Sequence, residues 1–217
     1  MSFGLNRGRE LQYEGYGLVR EDLPAIEDGP FDPRSLFEDP TRPFELEIGS
    51  GKGTFLVQQA VLQPETNFLG IEWAGEFFRY AADRIRRHGI ENVRVLHDDA
   101  TEFVRYRMPE AICNVLHIYF SDPWPKSRHH KRRVIQDDTL KAFHRVLAPG
   151  GEIRLVTDHV ELWEWYQDHA SRHEDIFERR PFVKPESAGD GEVVGSNFER
   201  KFQREGRAFQ AMVLLRR

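Results

Sequence analysis

From Phe44 onward the chain alternates short apolar runs with helix-forming stretches, and this alternation constrains its fold more than any other feature. Phe44–Ile48, Asn67–Ile71, Val93–Leu96, Ala111–Phe120 and Glu152–Thr157 read as strands. The fourth is almost wholly apolar, as a strand covered on both faces should be. Thr54–Leu62, Glu76–His88, Gln136–Leu147 and Val160–Ser171 read as helices; the second places Phe77, Tyr80, Ala81 and Ile85 on one face and stops at Gly89. Arg207–Leu215 reads as a final strand. Helices of this length between strands imply right-handed βαβ units, and so an α/β fold with a mostly parallel sheet flanked by helices.

In such sheets ligands bind beyond the carboxyl ends of the strands, and here those ends are acidic one after another. Glu47 stands two residues before Gly49, Glu72 ends the second strand, Asp98-Asp99 the third, Asp122 the fourth and Asp158 the fifth. The loop Gly49-x-Gly51-x-Gly53 permits a tight turn and close backbone approach to a ligand. Glycine loops alone are common, and any one acid here could be a solvated loop residue. Their joint placement is what selects. Glu72 is placed to grip ribose hydroxyls, and Asp99 to accept a hydrogen bond from an adenine amino group. An acid-lined pocket suits a cation carrying ribose and adenine without phosphates. S-adenosyl-L-methionine fits this description, whereas the pyrophosphate of NAD would face Glu47.

After the fourth strand the chain enters Ser121-Asp122-Pro123-Trp124-Pro125-Lys126, a rigid corner with one carboxylate. Lys126, Arg128, Lys131, Arg132 and Arg133 then bring five cations within eight residues, with His129 and His130 among them. A carboxylate beside an aromatic can read a polar ring, and the cations can hold phosphate; without the corner, a solvated charge run would be the better reading. Trp124 either stacks on a base or packs against the sheet.

The chain has 217 residues and a net charge of −5. Residues 1–43 carry nine acids against five cations and little periodicity. They read as an extension, partly ordered at most, ahead of a domain over 44–217. The remainder is nearly neutral, and its local basic patch is enough to steer a phosphate backbone. No apolar run spans a membrane and the N-terminus has no signal-peptide pattern, so the cytoplasm is the expected compartment. The one cysteine, Cys113, excludes an internal disulfide framework and reads as a core residue. His169 and His173 share a helix face but lack a third ligand, so no metal is expected and a solvated face is the preferred reading.

The set Glu47-x-Gly49-x-Gly51-x-Gly53, Glu72 and Asp99 resembles the class I S-adenosylmethionine-dependent methyltransferases. Asp122-Pro123-Trp124-Pro125-Lys126 followed by Arg128-His129-x-Lys131-Arg132-Arg133 resembles the signature of the bacterial tRNA (guanine-N7)-methyltransferases. Thr157-Asp158 and Ser196-Asn197-Phe198-Glu199 also match, although Ser196 stands where that family has threonine. The resemblance spans about residues 44–215. It implies a Rossmann-like fold with an antiparallel C-terminal strand, and methylation of guanine 46 in the tRNA variable loop. By the same resemblance Glu47, Gly49, Gly51, Gly53, Glu72, Asp99 and Asp122 bind the cofactor, and Asp122 is also catalytic. Lys126, Asp158, Ser196, Asn197, Phe198 and Glu199 contact substrate, and Arg128, His129, His130, Lys131, Arg132 and Arg133 contact RNA. Arg7 and Arg9 are candidate further RNA contacts. tRNA is the expected partner, of a monomer or a homodimer. Two alternatives stand beside this reading: a methyltransferase for an exocyclic amino group, whose corner would read N/D-P-P-aromatic, and a non-catalytic RNA-binding module.

Overall fold

The computed structural model describes residues 10–217, so Arg7 and Arg9 lie outside the described residues. The strands are β1 (Gly17–Val19), β2 (Phe44–Ile48), β3 (Asn67–Ile71), β4 (Val93–His97), β5 (Cys113–Tyr119), β6 (Leu147–Thr157), β7 (Phe177–Arg180) and β8 (Gln210–Arg216). The helices are α1 (Thr54–Leu62), α2 (Gly75–His88), α3 (Ala100–Tyr106), α4 (Asp137–Val146), α5 (Val160–Arg172) and α6 (Asn197–Arg204). The strands form a single sheet in the order β1-β4-β3-β2-β5-β6-β8-β7. The first six in that order pair in parallel, and β8 runs antiparallel to both β6 and β7. The expected class of fold is therefore observed. The chain reverses its winding between β2 and β5, which opens a crevice at their carboxyl ends.

Alternation along the strands assigns the two cores. Phe44, Leu46 and Ile48 of β2 pack with Leu116 and Ile118 of β5 beneath α3, α4 and α5. On the opposite face, Phe55 and Leu56 of α1 and Phe78, Ala81, Ala82 and Ile85 of α2 cover Phe68, Val93 and Val95. Glu45, Glu47, His117 and Tyr119 alternate with the first set and so point toward α1. His117 is fully buried there, bonded to Glu45 (2.8 Å) and to the Tyr119 hydroxyl (2.7 Å).

Several expectations need correction. Residues 10–43, expected to be partly ordered at most, are tied into the sheet. β1 pairs with β4, Arg20 bonds Glu102 at 2.8 Å, and Arg107 donates to the Pro24 carbonyl at 2.6 Å. The two side-chain bonds join residues more than 80 apart, beyond the reach of local pattern. The helix α3 and the strand β7 were not anticipated, being short and weakly patterned. The buried face of α2 holds Phe78 and Ala82 in place of Phe77 and Tyr80, because Phe77 turns toward the crevice. His169 and His173 are not on a solvated face. Both are buried, each with its Nδ1 against the carbonyl four residues back, and His169 packs on Trp165.

Candidate active site

The crevice at the β2/β5 switch divides into an outer cleft of ≈ 790 Å³ and an inner chamber of ≈ 340 Å³. Both are of ligand-pocket size, about 300–1,000 Å³. Gly49, Phe77, Tyr119 and Phe198 line both. Gly49, Gly51 and Gly53 all have positive φ, which an L side chain strains to adopt. A Cβ on Gly53 would also press within 3.1 Å of Ala81, and one on Gly51 within 3.3 Å of the Phe198 ring. The glycines thus let the loop pass between α2 and α6.

Glu72 fixes this loop. Its Oε2 accepts from the Gly51 N–H and its Oε1 from the Ala74 N–H, each at 2.7 Å. Glu47 is buried beside it, and its Oε2 has no hydrogen-bond partner among the described residues. Burial, and then the nearby Glu72 charge, hold the Glu47 carboxyl well above the ordinary range. Burial raises Glu72 as well, against its two N–H donors and with a smaller push from Asp122. Asp98 and Asp99 both line the outer cleft. Asp99 caps α3, its Oδ1 accepting from Thr101 and Glu102, whereas Asp98 Oδ1 faces Arg20 at 3.6 Å and its Oδ2 is buried with no hydrogen-bond partner among the described residues. A buried carboxylate oxygen without a donor is costly, so the free oxygens of Glu47 and Asp98 fit a cation or a hydrogen-bond donor on a ligand.

The opposite wall is the corner after β5. Phe120 (φ 54°) and Trp124 (φ 43°) bracket it in the left-handed region, a strain of about 1–3 kcal/mol each for bulky residues. The surroundings hold it in place. Phe120 packs on Phe202 and Phe209, Ser121 Oγ pairs with the Tyr166 hydroxyl at 2.8 Å, and Arg133 Nε donates to the Pro123 carbonyl at 2.8 Å. Asp122 is exposed and lines the outer cleft with Trp124, Lys131 and Arg132. One face of Trp124 carries the Arg132 guanidinium, 4.9 Å from the ring centre, and its ring meets His129 edge-on.

The remaining expected residues divide. Arg128, Lys131 and Arg132 are exposed, and Lys126 is exposed outside the cleft lining. Arg133 is not a free cation. It is 2% exposed, bonded to Glu161 at 2.6 Å and stacked on Trp165 at 4.8 Å, so it bolts the corner to α5. His130 also turns toward Glu161 and Trp165. Glu199 is fully buried, and its carboxylate accepts from the N–H groups of Val193, Val194 and Gly195, which ties it to the turn before α6. Ser196 caps α6 through Glu199 N–H. Asn197 reaches Thr54 Oγ1 at 2.7 Å, and Phe198 stands 41% exposed over the glycine loop. Asp158 is paired with Arg207, whose guanidinium lies 4.3 Å over the Phe202 ring, and lines neither chamber. Lys52, Trp73, Tyr119 and Lys201 line the site without having been expected there. Only Lys52 carried a signal, by sitting inside the glycine motif.

Residues 41–212 match a family model described as a putative methyltransferase. A tRNA (guanine-N(7)-)-methyltransferase of Agrobacterium fabrum is 30% identical over 99% of this chain and 94% of its own length. One from Nitrobacter hamburgensis is 37% identical over 78% of this chain and 68% of its own. Among solved structures, an aminoglycoside resistance methyltransferase superposes with TM-score 0.58 at 15% identity, covering 81% of this chain and 88% of that one. The 16S rRNA methyltransferase KamB gives 0.57 at 15%, covering 84% and 89%. These two likenesses concern the fold. With the sheet order, the acid-lined crevice and relatives matched over most of both lengths, the chain belongs to the tRNA (guanine-N(7)-)-methyltransferase family.

Proposed function

We propose that this protein transfers a methyl group from S-adenosyl-L-methionine to N7 of guanine 46 in the tRNA variable loop. The observation that carries the reading is the position of Asp122. It stands on the wall of an acid-lined cleft, with the exposed cations Lys131 and Arg132 beside it. The cofactor, when bound, supplies a methyl group on a sulfonium, an activated electrophile. Glu72 and Asp99 are the residues for its ribose and adenine, and the unpartnered Glu47 oxygen is the acceptor for its ammonium group.

Guanine N7 already carries an in-plane lone pair, so no residue needs to remove a proton before attack. The protein's work is placement and exclusion of water. Asp122 would accept hydrogen bonds from guanine N1–H and the exocyclic amine, a pattern adenine lacks, and favour the positive charge that develops on the purine. Arg128, Lys131 and Arg132 hold the phosphates around the target, while Arg133 keeps the corner in shape. Asp158, paired with Arg207, acts on substrate by release of that ion pair or through its neighbours.

The test is transfer of labelled methyl to bulk tRNA followed by nucleoside analysis. 7-Methylguanosine is the expected product, and a transcript with adenine at position 46 should accept none. Methylated adenosine would overturn the reading in favour of an exocyclic-amine enzyme.

A further inference from the structure

The corner that carries Asp122 is seated on the C-terminal segment of the chain. Phe120, at φ 54°, begins the corner two residues before Asp122. Its ring meets Phe202 of α6 edge-on, with the centres 5.8 Å apart, and Phe209, just before β8, at 5.3 Å. The strain of a bulky residue in the left-handed region is comparable with what two aromatic contacts return, so both contacts are needed to hold it.

Other contacts converge on Phe202. It stacks on Phe198, one turn earlier in α6, with the ring centres 6.2 Å apart and the planes at 30°. Phe198 stands over the glycine loop, where a Cβ on Gly51 would come within 3.3 Å of its ring. The Arg207 guanidinium lies 4.3 Å from the Phe202 ring centre. That guanidinium is itself anchored, its Nη1 on Asp158 at 2.5 Å and its Nη2 on Glu205 at 2.6 Å. One ring therefore touches the strained corner, the residue above the glycine loop and a cation tied to the residue that follows β6. We propose that Phe202 is a positioning residue for methyl transfer: it sets the corner, and so the aim of Asp122, against the cofactor loop, and Arg207 holds its ring in place. The inference rests on the proposed transfer to a base held at the corner. Placement is where such a reaction is sensitive, since a shift of about 1 Å can cost about a hundredfold in rate.

The test is single-turnover transfer of labelled methyl to tRNA by the full chain, at saturating cofactor and tRNA, with the affinity for each measured separately. Phe202→Ala should lower the saturated rate about tenfold or more while both affinities stay within about threefold of wild type, which is the pattern of lost placement and not of lost binding. Phe202→Tyr, which keeps the ring, should keep most of the rate. Arg207→Met should lower the saturated rate by a smaller factor, and adding it to Phe202→Ala should cost nothing further, because it acts through a ring that is already gone. A wild-type saturated rate in Phe202→Ala would overturn the inference even with a lowered melting temperature, since the residue would then serve the fold alone. Additive losses in the double variant would overturn the route through Phe202 and give Arg207 a substrate contact of its own. Should Phe202→Ala fail to bind cofactor, Phe202→Leu fills most of the volume without a ring, and equal saturated rates for the Leu and Tyr variants would overturn the inference. A wild-type protein that forms no 7-methylguanosine would instead remove the proposed function, and the inference with it.

Discussion

Glu47 and Glu72 on one wall of the cleft are buried carboxylates, whereas Asp122, Lys131 and Arg132 on the other are exposed. The first wall is held by the backbone. Glu47 lies in β2 and Glu72 directly follows β3, where the N–H groups of Gly51 and Ala74 orient it. The second wall is a strained loop held by side chains, with Arg133, Tyr166 and three aromatic contacts keeping Phe120 to Trp124 in shape. A small ligand can be enclosed, so its acids can be buried ahead of binding. A polymer must be met at the surface, so its cations stay in water and only their anchor is buried. The adjacent pair Arg132 and Arg133 shows the division within one dipeptide.

The largest expected effect falls on Asp122. Asp122→Ala should lower single-turnover methyl transfer by about a hundredfold or more, with an unchanged melting temperature, because the residue is exposed and orients the reacting base. Near-normal transfer would break the contrast, since the corner would then carry no chemistry.

Next comes the arginine pair. Arg133→Ala removes a buried charge-assisted donor, a loss of about 1.5–3 kcal/mol, and should lower the melting temperature by roughly 3–12 °C. Arg132→Ala should change stability by no more than about 0.5 kcal/mol. The reverse order in thermal melts would show that the buried and exposed roles have been exchanged. In tRNA binding, Arg132→Ala should flatten the slope of log affinity against log salt by about 0.7–0.9 for each phosphate that is no longer neutralised. An unaltered slope would remove Arg132 from the RNA surface.

The smallest effect concerns protons on the buried wall. A carboxyl raised in the folded state binds its proton more tightly there than in the unfolded chain. Stability is therefore fully present below the ordinary value of 4.5 and declines as pH rises through the higher folded value. Glu47→Gln should reduce that decline in the ligand-free protein and weaken cofactor binding. The wild type should release protons when the cationic cofactor binds, which titration in buffers of different ionisation enthalpy reads directly. Binding without proton release would mean that no cation meets Glu47.

Much of this was legible in the chain. The alternation from Phe44 gave the parallel sheet, and the acid at each strand end marked the crevice, because strand, turn and helix preferences are local and the switch-point rule turns them into a place. Cys113 is a buried core residue, as its apolar neighbours implied. Apart from the face of α2, where Phe78 and not Phe77 is buried, the failures are charged or weakly patterned segments. Residues 17–19 find a place because β4 offers an edge, and Gly17 fits because it has no Cβ, which would stand 2.9 Å from the Phe78 ring. Glu199 matches a substrate-contacting position in sequence, and only the fold shows that its carboxylate also holds the turn before it. His169 and His173 have helical spacing on either reading, and only the packing of α5 buries them.

By itself, then, the sequence determined where strands end, which acids stand there, and that a rigid acidic corner leads into a basic run. Only the tertiary structure decided which of those charges are available. Arg133 is withdrawn by Glu161, 28 residues away, and Asp158 is masked by Arg207, 49 residues away. Glu47 Oε2 is buried and finds no donor among the described residues. The physical reason is that hydrophobic periodicity and turn preference are encoded residue by residue. The state of a charge depends on burial and on partners distant in the chain, which exist only once the chain is folded.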